Sequence, residues 1–105
     1  MIRPDPKQAF APNGEFAFRT VAGEAVLVPI RKGITELGSI YTLNEVGAVV
    51  WRLVADGAPL SEMVDRVAQE FEVDRERARA DVVGFLEGLL ERGLVVPKQE
   101  GEQER

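Results

Sequence analysis

The chain contains no cysteine. That excludes a disulfide framework, a thiolate metal site and a thiol nucleophile. It contains no histidine either, which removes the usual general base and the commonest metal ligand. Only two serines are present, Ser39 and Ser61, and no motif sets either beside a base. What remains for chemistry is carboxylates, lysines and one tyrosine, and no spacing pairs them. The expectation is a protein that is not an enzyme and carries no metal or cofactor. No apolar run reaches the length of a membrane span, and the opening MIRPDPKQAF lacks the apolar stretch of a secretory signal. A soluble, cytoplasmic protein without a membrane partner is expected. Positive charge is also scarce: 13 Lys and Arg stand against 18 Asp and Glu, for a net charge of −5. Such a surface repels phosphate backbones unless its basic residues are segregated into a patch.

What is present suffices for one folded domain. At 105 residues and 45% hydrophobic, the chain can bury a modest core without staples. Residues 1–14 carry Pro4, Pro6, Pro12 and Asn13-Gly14, and read as a flexible arm. Residues 15–96 carry the periodic patterns of the domain. Residues 97–105 are almost wholly polar and read as a disordered tail.

Residues 15–30 alternate as a hairpin does, with Ala22-Gly23-Glu24 at its turn. Pro29 cannot donate to a ladder, so pairing should stop near it. The loop RKGITELG follows, and its Arg31 and Lys32 are either plain loop charges or contacts to an enzyme partner. SIYTL, residues 39–43, is a third strand. Asn44 is placed to cap a first helix whose apolar residues are Val46, Val49, Val50, Leu53 and Val54. A second helix over about 60–71 carries the stripe Met63, Val64, Val67, Ala68 and Phe71. Asp74 is the N-cap of a third helix that ends before Gly93, and LVVP leaves it as an extended piece.

The third helix has a broad apolar arc. Ala78, Val82, Phe85 and Leu89 make one row; Arg79, Val83, Leu86 and Leu90 make another, rotated by about 100°. The second row either packs inward or lines a groove for a partner. The order is thus three strands and then three helices, an α+β fold with a three-stranded antiparallel sheet. A three-stranded meander keeps two open edges, and a stiff edge strand is a docking template for an extended peptide. Tyr41 is then either a groove residue or a sheet-face aromatic on the first helix. Replacing it by proline is the test suggested by the sequence, since proline removes a ladder donor. An open edge and an apolar helix row could also meet across a two-fold axis in a homodimer.

The ordered set Tyr41, Leu43-Asn44, Gly47, Trp51, Asp56-Gly57, Glu72-Val73-Asp74, Asp81-Val82, Phe85-Leu86, Leu89 and Gly93-Leu94 resembles the PqqD family. These are small proteins of pyrroloquinoline quinone biosynthesis, with relatives in other peptide-modifying clusters. The resemblance implies a winged-helix-like domain that binds the leader of a ribosomally made precursor peptide. It further implies presentation of that peptide to a radical S-adenosylmethionine enzyme. The leader is expected to add as a strand beside the third helix, between Ser39, Ile40, Tyr41, Thr42 and Leu43 on one side and Arg79, Val83 and Leu86 on the other. The chain departs from the family in three respects: the loop RKGITELG is long, residues 1–14 find no match, and Pro59 stands where a Thr usually caps the second helix, so Glu62 loses its capping-box partner. A DNA-binding winged helix is the competing reading, because Glu72-Val73-Asp74 is a turn-length connector. Arg75, Arg77 and Arg79 would be its recognition residues, but Glu72, Asp74, Glu76 and Asp81 surround them. Nucleic acid is therefore not the expected partner.

Overall fold

The computed structural model describes residues 5–30 and 40–98. Its elements run β1 (Ala9–Pro12), β2 (Phe16–Val21), β3 (Glu24–Pro29), β4 (Tyr41–Leu43), α1 (Glu45–Ala55), α2 (Leu60–Phe71), α3 (Arg75–Glu91) and β5 (Val95–Lys98). The fold is α+β, compatible with a winged-helix-like domain: β2, β3 and β4 form an antiparallel meander, and the three helices follow it. The loop with Arg31, Lys32 and Ser39 lies outside the described residues, as do residues 1–4 and 99–105.

Local chemistry sets the element ends. Ala22 and Gly23 both have positive φ, 53° and 82°, which a two-residue hairpin turn of the right twist requires. Asn44 Oδ1 accepts from the Gly47 N–H at 2.7 Å, so the strand passes into α1 through a single capping residue. Asp74 does the same for α3, accepting from the Arg77 N–H at 2.8 Å. The inward faces of the helices then close on the sheet. Val50, Met63, Val67, Val82 and Leu86 are fully enclosed together with Leu27 of β3. Trp51 is buried too, edge-on to Phe16 with ring centroids 5.2 Å apart.

The structure differs from the sequence reading at the N-terminus. Residues 9–12 are no arm: they form β1 and pair antiparallel with β5, Ala9 opposite Lys98 and Pro12 opposite Val95. Phe10 is 1% exposed and joins the main core. Pro12, one of the residues that suggested a break, sits in a two-stranded ribbon, where one side of each strand has no ladder to feed. The same segment replaces the missing cap of α2. Pro59 offers no side-chain acceptor. The Leu60 N–H instead donates to the Gln8 carbonyl at 2.7 Å, and the Ser61 N–H to the Pro6 carbonyl at 2.9 Å. Two orphan donors of a helix start are thus satisfied by backbone from fifty residues upstream.

Candidate functional site: the open edge of β4

The sheet order β2-β3-β4 leaves β4 with a single neighbour. Which of its backbone groups are free follows from the hairpin. In a two-residue hairpin the residues flanking the turn, here Val21 and Glu24, exchange both their hydrogen bonds. Pairs alternate from there, so Arg19–Val26 and Ala17–Val28 are also bonded, and the Ile30 N–H to Glu15 carbonyl bond of 3.0 Å continues the same phase. The backbone groups of Ala25 and Leu27 therefore point the other way, to β4. They meet Leu43 and Tyr41. Thr42, opposite Val26, directs its N–H and C=O away from the sheet. Among the described residues no backbone bond fills that position.

This phase corrects the choice of Tyr41 for a proline test. The Tyr41 donor belongs to the β3 ladder, and the outward donor is that of Thr42. Side chains alternate in the opposite sense. Leu43 is buried and Tyr41 half-buried against the core, whereas Thr42 is exposed and Ile40 is 62% exposed. Tyr41 packs on the core and also lines the space beside β4.

That space is a cavity of about 390 Å³ between β4 and α3. Residues 40–43 form one wall, and Gly84, Phe85, Gly88, Leu89 and Arg92 form the other. Of the residues placed here by sequence, Ile40, Tyr41, Thr42 and Leu43 do line the groove. The helix-three candidates do not. Leu86 is 0% exposed and sits in the core, and Val83 is half-buried against it. Arg79 borders a different cavity, with Pro6, Leu60 and Ser61, at the start of α2. Ala78, Val82 and Leu89 of the first row are buried, Leu86 of the second row joins them, and Phe85 turns with Gly84 and Gly88 to β4. The reason lies on α1. A Cβ at Gly47 would stand 2.5 Å from Phe85 Cε1 and 2.8 Å from Cζ, so only glycine lets the Phe85 ring lie there. Sequence reasoning missed Gly84 and Gly88. Two glycines a turn apart inside a helix cost stability without a visible return, and that was the signal available.

Charge in the region is muted. Arg75 pairs with Asp65 across to α2, and Arg77 pairs with Asp81 at 3.5 Å. Among the described residues no group of acidic side chains is arranged to hold a metal ion, and no helix is long and apolar enough to cross a membrane.

The comparisons with known proteins follow this geometry. No curated protein matches the chain. Among solved structures, one match is TbiB1 in complex with the TbiA(beta) leader peptide, with a TM-score of 0.66 and 26% identity, covering 81% of this chain and 93% of that one. A second, lasso peptide synthetase B1 complexed with the leader peptide, has a TM-score of 0.69 and 24% identity over 84% of this chain and 98% of that one, and bears on the fold alone. The model of the family described as coenzyme PQQ synthesis protein D matches residues 24–95, from the start of β3 into β5 and more than half of the chain. The chain belongs to the PqqD family.

Proposed function

We propose that this protein is a non-catalytic peptide chaperone that captures the leader segment of a ribosomally made precursor peptide by strand addition to β4. The observation that carries the reading is the outward N–H and C=O of Thr42, which open onto a groove walled by α3. An extended chain laid there gains main-chain hydrogen bonds whatever its sequence, and α3 supplies the selectivity. One structural neighbour, TbiB1, was solved with a leader peptide bound, which supports the same occupant. The chain's lack of histidine and cysteine fits a carrier better than a catalyst.

The captured peptide is then presented to a modifying enzyme. From the family, the class we infer is a radical S-adenosylmethionine enzyme. A second copy of the chain is a competing occupant of the same edge, and would appear as peptide affinity that falls as protein concentration rises. The DNA-binding alternative is weakened by the ion pairs that engage Arg75 and Arg77 and by the net charge of −5. Retardation of a specific duplex in moderate salt would revive it.

The test is a titration with leader peptides encoded beside this gene, followed through backbone amide shifts. Shifts centred on residues 40–43 and 84–92 support the reading, whereas shifts confined to the outer face of α2 refute it. Co-elution of the peptide-loaded protein with the neighbouring radical enzyme tests the handover. Its failure would remove the enzyme partner and leave peptide capture standing.

A further inference from the structure

The two ends of the groove differ chemically. Phe85, lying against Gly47 in the first turn of α1, marks the Leu43 end. Beside it Gly84 is open: a Cβ added there would meet nothing within 4 Å. A side chain entering at this end finds an apolar shelf with room above it. One helical turn further along α3 the surface becomes cationic. Arg92 folds back along the helix, and its Nη1 donates to the Gly88 carbonyl at 3.3 Å. The same Nη1 lies 3.3 Å from where a Gly88 Cβ would be, so the guanidinium covers Gly88. Among the described residues Arg92 has no carboxylate partner.

The spacing of these two features suits a strand. From Gly84 to Gly88 the helix rises about 6 Å. Two residues of an added strand advance about 6.8 Å. In such a strand the residues opposite Leu43 and Tyr41 point to the same face as those side chains, towards α3. In that register the first would lie over Gly84 and the second over Gly88. Every pair in this sheet is antiparallel, and an antiparallel newcomer would run from the Leu43 end to the Ile40 end. Beyond Leu43 the neighbouring cavity is bordered by Glu24, Glu45 and Arg52, a mixed set that offers an acid no unopposed cation at that end.

We propose that the groove selects a peptide segment of the form apolar–any–acidic, with the apolar side chain over Gly84 and Phe85 and an Asp or Glu two positions C-terminal to it on Arg92. The proposal rests on the leader-binding reading and names the class of leader that this chain accepts. An Arg fork suits a carboxylate, because its remaining N–H donors can engage both oxygens while one holds the Gly88 carbonyl.

The experiment is a display selection with a random dodecapeptide library against the full chain and against Arg92→Glu, Arg92→Gln and Arg92→Lys. The expected result is enrichment of the apolar–any–acidic pattern by the unaltered chain and by Arg92→Lys. Arg92→Gln should lose the acidic preference, with affinity for a selected acidic peptide down about two- to fivefold, as for an exposed ion pair. Arg92→Glu should turn the preference towards Lys or Arg. Circular dichroism checks that α3 survives each change, and the Gln and Lys arms decide the matter if the Glu variant does not fold. Apolar enrichment with no acidic preference, or with one indifferent to Arg92, overturns the proposal and leaves peptide capture intact. An acid enriched on the N-terminal side of the apolar residue overturns the antiparallel orientation. No enriched peptide at all, or enriched peptides that leave the residue 40–43 amides unshifted, overturns the underlying reading.

Discussion

One substitution, made at two glycines, separates the groove from the core. Gly84 and Gly47 are both helical, and alanine is the better helix former by about 0.8–1 kcal/mol. At Gly84 nothing opposes that gain, since the added Cβ meets no atom within 4 Å. Gly84→Ala should therefore raise Tm by about 4–8 °C for a domain of this size. At Gly47 the added Cβ would lie 2.5 Å from the Phe85 ring, and the ring must move. Overpacking of that kind costs about 1–3 kcal/mol, so Gly47→Ala should come out neutral to destabilising by about 2 kcal/mol. The functional arm is Gly84→Leu. Leucine keeps most of the helix gain but projects into the space that a peptide side chain would occupy. The fold should be as stable as the unaltered chain or more so, and peptide binding should be lost. Thermal unfolding and fluorescence anisotropy with a labelled leader peptide measure the two quantities on the same samples. A stabilised Gly84→Leu that binds the peptide undiminished would refute the claim that the ligand passes over this face of α3. A destabilised Gly84→Ala would refute the open shelf itself.

Thr42→Pro should leave the fold intact by circular dichroism and reduce peptide affinity at least tenfold, because it deletes an outward donor that no part of the sheet uses. Tyr41→Pro, by contrast, removes a donor to β3 and should lower stability as well. Phe10→Ala should cost about 3–5 kcal/mol in urea unfolding, since the ring is enclosed in the main core and anchors the segment whose Pro6 and Gln8 carbonyls cap α2. Asn44→Ala should cost about 1 kcal/mol by the same assay through loss of the Gly47 N–H acceptor.

Much of this architecture could be read from residue patterns. The helix starts at Asn44 and Asp74 and the hairpin at Ala22-Gly23 each follow from a short-range rule, and each is as expected. So is the edge position of β4, because consecutive strands tend to pair as neighbours. What the pattern did not fix was rotational phase. Leu86 and Phe85 are both large and apolar, and which of them turns inward depends on Gly47, a residue on another helix. The groove wall was equally hard to see, for it is made partly of absent side chains, at Gly84 and Gly88. The N-terminal strand was hidden for a different reason. Ala9–Pro12 has no period of its own, and its partner Val95–Lys98 lies at the other end of the chain. Pairing between such distant segments is a tertiary fact with no local signature.

The most direct measurement of the central claim is amide hydrogen exchange at residues 41, 42 and 43, with and without a bound leader peptide. In the free protein the Tyr41 and Leu43 amides should be protected by β3, and the Thr42 amide should exchange freely. With peptide bound at saturation, Thr42 should become protected to the level of its neighbours. A Thr42 amide that still exchanges freely in the saturated complex would contradict capture by strand addition.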